Sequence, residues 1–536
     1  MANTTSKRDL DSRALELVLA RMKKQQPTKT GADALAPLVR CDRSGSLPLS
    51  LSQQRLWFID KLEPEASRAY NMVAAYRLSG DLDVDVLQKT FNEIVSRHES
   101  LRCTFIDEGS NPTVSIAPPE TGFLLDRHDL SALPEEALPA ALVALADEEG
   151  ERLFDLGKGP LVRGVLIRTG ETSHVMLLIM HHIISDGWSM GVFVRELKAL
   201  YEAFLNLQPS PLPPLQIQYP DFAAWQRSWL EGEGLHTQIE FWRTQLSGAP
   251  EVINLPFDRS RPTVQTFAGG FVPFEVSEEK AVKVRQFAKA HKATVFMALM
   301  AAWSAVLARI GNNESVVVGT PVAGRNRQEL ESLIGFFANT LALRFANPGD
   351  ATIERFIADI KERTLSAYRH QGLPFEQVVE IVNPPRSLSH SPIFQVMFAL
   401  DNTPDEGELE LPGLKLSEYQ LSSVTSQVDM SLLLNDTGKA ISGSLVFNSD
   451  LFDKSSVERI ANYLGTLLDA LVAAPADAHM AHLPLLPAPE RHQVLVSWNA
   501  TDRPYPRDMG VHTLFEAQAL AQPEAVAVIG EAQQLS

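Results

Sequence analysis

Cysteine is almost absent: Cys41 and Cys103 are the only two in 536 residues. They lack the paired spacing of a metal site and cannot build a disulfide framework, which fits a reducing cytoplasm as the place of action. Neither is an expected nucleophile. Basic charge is also short, since 48 Lys plus Arg face 66 Asp plus Glu for a net charge of -18. That balance argues against a nucleic-acid partner, which needs a basic footprint. No run long enough to span a membrane occurs, and no P-loop. The N-terminus does not read as an export signal, because charges interrupt its apolar positions and no small-residue cleavage site follows. Leu15, Val18, Leu19 and Met22 instead predict a short amphipathic helix starting at Asp11 or Ser12, either a packing helix or a docking element.

The most informative stretch is His181-His182-Ile183-Ile184-Ser185-Asp186-Gly187, an HHxxxDG sequence directly after the apolar run Val175–Met180. The run predicts a buried strand, and successive side chains on a strand face opposite sides, so at most one histidine lines a given cavity. Asp186 and Gly187 predict a turn in which glycine allows a close backbone approach. Ser189 is the expected cap of a helix whose apolar stripe is Phe193, Leu197, Leu200 and Phe204. With each residue type near about 5% usage, these four fixed matches arise by chance in roughly 0.003 of chains this long. An imidazole at the mouth of a pocket, with a carboxylate four residues on, points to acyl transfer.

At this length two to four domains are expected. After a helix and linker over 1–44, a first lobe is expected over 45–214, closing on Pro209-Ser210-Pro211-Leu212-Pro213-Pro214, which cannot be helical. A second lobe is expected over 215–490, with a further break from Pro256 to Pro262. Between those breaks Asp221 to Leu246, carrying Trp225, Trp229 and Trp242, reads as a helical stretch that bridges the lobes. The second lobe repeats the first in outline: a charged helix from Ser277, an apolar helix from Thr294 to a Gly311 stop, and a strand at Ser315–Val318. Two similar α/β lobes around one cleft are therefore expected. The tail over 491–536 changes character, with Trp498-Asn499-Ala500-Thr501, Tyr505-Pro506 and an amphipathic segment Thr513 to Ala521 that is too short for a core of its own, so more chain is expected after it.

Seven ordered stretches, within roughly residues 45 to 490, resemble the condensation domains of nonribosomal peptide synthetases. They are PLSLSQQRLW from Pro48 to Trp57, Arg97 to Arg102 with Phe105, the HHxxxDG, and Tyr219 to Trp225. Ile334 to Thr340 with Arg344, His370 to Glu376, and Arg386 to Pro392 follow. Departures are small: Cys103 stands where the family usually has threonine and Ala338 where valine is common. The tail after Trp498 is similar to the entry of an adenylation domain.

The resemblance implies two chloramphenicol-acetyltransferase-like lobes in a V-shaped pseudo-dimer around a central tunnel. Carrier proteins would deliver phosphopantetheine-bound thioesters from opposite ends, with a peptidyl carrier and adenylation domain downstream. It implies His182 as the catalytic group, either as general base or as an orienting group that stabilises the tetrahedral intermediate. It also implies that Asp186 pairs with Arg325, at the end of Gly319-Thr320-Pro321-Val322-Ala323-Gly324-Arg325, while His181 and Gly187 support the site. Arg55, Arg102, Ser189 and Asn339 are candidate tunnel or substrate-binding residues, although the arginines read more readily as stacking near Trp57 or Phe105 or pairing with Glu99, and Asn339 equally as a satisfied buried amide. Thioester aminolysis is downhill, so neither bound cofactor, metal nor ATP is expected.

His181 does not match heterocyclising members, which carry aspartate there, and no earlier HH pair marks a dual epimerising member. The favoured expectation, taking Met1 as native, is a starter domain that N-acylates the first amino acid from acyl-coenzyme A or an acyl carrier, as in lipopeptide synthesis. The alternatives are an elongating domain with a peptidyl donor, and a non-catalytic recruitment platform.

Overall fold

A computed structural model describes residues 37–107, 112–229, 234–401, 409–419, 425–530 and 533–536. The helix expected around Leu15 lies outside them. The chain divides into two compact units, the first ending at Leu485 and the second Leu486–Ser536.

The first unit is built on two six-stranded sheets. One runs in the order Leu409–Leu411, Leu414–Glu418, Asn71–Gly80, Ser173–His181, Val162–Arg168 and Leu125–Asp129. The other runs Asn339–Ala346, Ser315–Val322, Val396–Asp401, Met430–Asp436, Ile441–Asn448 and Gly269–Val276. The strand Ser173–His181 is central and covered on both faces, which is why Val175 to Met180 reads as a continuous apolar run rather than an alternation. The helix Val295–Ile310 is apolar all round and is the buried centre of the second lobe. Thr294 caps it through the Met297 amide, and Gly311 stands at its C-cap.

One feature departs from the expected layout. Leu414–Glu418, from the second half of the chain, pairs antiparallel with Asn71–Gly80 and so belongs to the first-lobe sheet. The expected helical stretch from Asp221 to Leu246 carries, among the described residues, the helices Tyr219–Trp229 and Gly234–Leu246. Trp225 and Trp229 stack on each other, whereas Trp242 is buried in the second-lobe core.

Each lobe has its own apolar core, and a third cluster of Ile217, Tyr219, Phe222, Ala223, Leu330, Leu333 and Phe337 joins the first of the two helices to the loop after Ser315–Val322. Ile334 of that loop is buried in the first-lobe core. The second unit contains a helix, Val511–Ala521, and a strand pair, Val528–Ile529 with Gln534–Leu535. Its Val511, Phe515 and Leu520 are exposed. No single helix among the described residues is long and apolar enough to cross a membrane.

Candidate functional site

The HHxxxDG residues occupy the C-terminal end of the central strand, a 3-10 turn over His182–Ile184, and the start of the helix Gly187–Leu205. The helix cap is Asp186, not Ser189. Asp186 has the extended backbone a cap requires, and its carboxylate takes the Ser189 amide at 2.9 Å, which puts Ser189 inside the first turn. Gly187 does not adopt positive φ, and nothing lies within 4 Å of where its side chain would be, so the approach over it is open.

His181 and His182 have different surroundings. His181 is buried: its Nδ1 accepts the Ile183 amide at 3.1 Å, its Nε2 lies 3.1 Å from Ser67 Oγ, and Phe154 meets it edge-on. Burial first, then the neighbouring His182, pulls its pKa down to about 3. His182 is half-buried, and its Nδ1 lies 2.8 Å from the Ser185 carbonyl oxygen. A carbonyl can only accept, so Nδ1 carries the proton and Nε2 of the neutral ring has a bare lone pair. Burial lowers the basicity of His182 below the ordinary histidine value, more than Asp186 raises it, and the Arg55 charge acts in the same direction as burial.

Asp186 is a junction between lobes. Its two oxygens accept Arg325 Nη1 at 2.8 Å and Nη2 at 3.1 Å, the Phe337 and Ala338 amides at 3.0 Å each, and both the amide and hydroxyl of Ser189. Both partners of the ion pair are 1% exposed. A carboxylate so deeply placed costs several kcal/mol without partners, and here each oxygen has three donors. Arg325 also stacks on Phe337. Gly324 precedes it with φ +66, and a side chain there would strike the Phe337 carbonyl. Gly335 lies flat on the Tyr219 ring, whose hydroxyl donates to the Phe336 carbonyl at 2.7 Å.

The remaining candidates separate. Arg55 reaches across the lobes to Glu376 at 2.9 Å, and Glu99 is held by Arg43 at 2.7 Å instead. Arg102 is a correction: its guanidinium is spent on the carbonyls of Val95, Ser96 and Ala117, where it closes the end of the helix Val84–Arg97. Ser189 is a second correction, because its hydroxyl is committed to Asp186, Arg325 and Gly335 and has no face toward a ligand. Asn339 is a third. It lines a cavity, but its amide donates to Gln371 and Leu373 and its oxygen accepts from Thr340 and Phe375, which uses both protons and both lone pairs.

That cavity encloses about 620 Å³ of space including its open mouth, between Phe222, Trp225, Trp229, Phe336 and Phe337. His182 is not in its wall. Phe336 is, and its ring centroid is 4.5 Å from that of His182, so one aromatic side chain faces both. Phe336, Tyr219, Gln53 and Ser67 carry no chemical signal of their own in the sequence. Phe336, Tyr219 and Gln53 fall within the motif-like stretches, whereas nothing in the sequence marks Ser67.

Comparison with known proteins places this geometry. The condensation-domain family model matches residues 43–495. The chain is 42% identical over 92% of its length to a linear gramicidin synthase of Brevibacillus parabrevis, and 42% identical over 91% to malpibaldin synthetase of Mortierella alpina. It spans only 6% and 9% of those proteins. Among solved structures, the X-domain from teicoplanin biosynthesis in complex with OxyB is 29% identical with a TM-score of 0.76, covering 85% of this chain and all of that one. The starter condensation domain of rhizomide synthetase, at 18% identity, TM-score 0.70 and 83% coverage of this chain and 98% of that one, shares the fold. The two sheets with their helices are thus the paired chloramphenicol-acetyltransferase-like lobes of that fold. The chain belongs to the condensation-domain family of nonribosomal peptide synthetases, acyltransferases that form amide bonds.

Proposed function

We propose that this domain joins an acyl thioester to the amine of a carrier-bound aminoacyl acceptor, with His182 as the reacting imidazole. The observation that carries the assignment is the bare Nε2 of His182, fixed by the Nδ1 bond to Ser185 and half-buried beside the open approach over Gly187. An α-amine has a pKa of about 8 and is mostly protonated near neutrality. Nε2 accepts a proton from the attacking nitrogen, or holds that nitrogen in line and stabilises the charged tetrahedral intermediate. The new bond is carbon to nitrogen, the broken one carbon to sulfur, and the proton leaves with the thiol. Asp186 and Arg325 hold the loop that presents Phe336 to His182.

For the donor, we favour a carrier-bound peptidyl thioester in elongation. The chain is 42% identical to segments of two linear gramicidin synthase polypeptides and 18% identical to a starter domain. The acceptor comes from a downstream peptidyl carrier, and the exposed apolar side chains of Val511, Phe515 and Leu520 support reading the tail as the entry of an adenylation domain. The two free cysteines suit a cytoplasmic protein. Likeness to an X-domain in complex with OxyB favours a second reading, a recruitment platform. Intact-mass analysis of an aminoacyl carrier tests these, with peptidyl carriers and acyl-coenzyme A donors side by side. Transfer only from peptidyl carriers supports elongation, transfer from coenzyme A thioesters makes the domain a starter, and no transfer from any donor leaves the platform.

A further inference from the structure

The two adjacent histidines are held in opposite tautomers, and the group that sets the inner one lies outside the HHxxxDG sequence. His181 Nδ1 accepts the Ile183 amide, which only a bare nitrogen can do, so the proton of the neutral ring is on Nε2. That proton points at Ser67 Oγ, 3.1 Å away. Asp60, half-buried nearby, has its carboxyl pushed up by burial, and the Ser67 hydroxyl acts against that rise. Ser67 is 3% exposed and His181 1%, so bulk water does not take the place of either partner.

Ser67 comes from the 3-10 turn Pro64–Tyr70, which leads into the strand whose Asn71 pairs with His181. The Ile183 peptide is gripped on its other side by Gln53 Nε2, which donates to the Ile183 oxygen at 3.0 Å. The turn that carries His182 is therefore clamped at a single residue, by His181 on the N–H and Gln53 on the carbonyl.

We propose that Ser67 is a positioning residue for the condensation reaction: by accepting a hydrogen bond from the Nε2–H of His181 it keeps Nδ1 bare for the Ile183 amide and holds the His182 turn in register. The inference rests on His182 as the reacting imidazole. In the other tautomer an N–H of the ring would face the Ile183 N–H, and a buried donor without an acceptor costs about 1–3 kcal/mol. The turn would yield first, and a shift of about 1 Å at a reacting group costs on the order of 100-fold in rate.

The test uses the full chain, an aminoacyl carrier acceptor and whichever thioester donor the wild type accepts. Ser67→Ala is expected to lower kcat by about 10- to 100-fold with acceptor KM within about twofold, and Ser67→Thr, which keeps the hydroxyl, to restore most of it. Nitrogen-15 NMR of histidine-labelled protein is expected to show His181 protonated on Nε2 and His182 on Nδ1 in the wild type. In Ser67→Ala the His181 tautomer is expected to become mixed while His182 keeps its own. An active wild type with an equally active Ser67→Ala overturns the proposal alone, as does a wild-type His181 protonated on Nδ1, a readout that survives even if the alanine variant fails to fold. An inactive wild type overturns the condensation reading and this inference with it.

Discussion

Asp186 and Arg325 stand 139 residues apart in sequence and meet as a bidentate ion pair whose two ends belong to different lobes. The pair is the floor under the HHxxxDG turn on one side and under the Phe336 loop on the other. Its energetic role follows from burial, because two desolvated charges that satisfy each other become a liability once one is removed.

Asp186→Ala is accordingly expected to destabilise the first unit by about 3–5 kcal/mol, since it strands a buried guanidinium. Replacing both ends with apolar residues of similar volume is expected to cost less than either single change. Urea unfolding midpoints of the two single variants and the double variant check this; additive losses would contradict it.

His182→Ala is expected to reduce amide formation by about 100- to 10,000-fold while carrier binding stays within about twofold. Single-turnover acyl transfer measures the first quantity and titration with a loaded carrier the second. An unchanged rate would remove His182 from the chemistry.

The pH dependence has a definite sign. His181 has a folded pKa of about 3 against an ordinary value near 6.5, so below that ordinary value the unfolded chain binds a proton that the folded chain refuses. Its contribution to stability is complete above about pH 6.5 and is lost as pH falls from there toward 3, by up to about 1.4 kcal/mol per pH unit. Depression of the His182 pKa acts in the same direction. The acid limb of the rate profile is thus expected below pH 6.5, and unfolding midpoints at pH 7 and pH 5 are expected to differ, the lower pH being the less stable.

Arg102 and Arg55 are expected to separate in experiment. Arg102→Met leaves the Val95, Ser96 and Ala117 carbonyls without their donor and is expected to cost about 1–3 kcal/mol of stability with acceptor KM unchanged. Arg55→Met removes a partly exposed pair with Glu376 worth about 0–1 kcal/mol, so its effect is expected in the rate profile, through a rise in His182 basicity, rather than in the melting curve. Thermal melts and rate profiles of the two variants check this together.

The sequence carries the local part of this site and little of the long-range part. The apolar run before His181 and the helical stripe after Gly187 place the strand, turn and helix junction, because both periods are local properties. Which residue caps that helix is not legible, since Asp186 and Ser189 are both good cap residues and only backbone geometry separates them. Arg102 and Asn339 look like functional polar groups in a one-dimensional reading. The carbonyls that consume their hydrogen bonds come from segments between 6 and 34 residues away, and nothing in composition reveals those partners. The joining of Leu414–Glu418 to the first sheet is a matter of topology, which periodicity does not carry.

That late strand sets the order in which the protein can be finished. A nascent chain that has released residues only as far as the Pro209–Pro214 segment still has Asn71–Gly80 as the bare rim of its sheet, with unpaired amides and carbonyls open to any other extended chain. The rim is sealed only when residues near 414–418 arrive, after most of the second lobe has been synthesised. The two lobes are therefore joined through a shared sheet, and a cut at the proline segment is expected to leave a fragment with an uncovered strand edge.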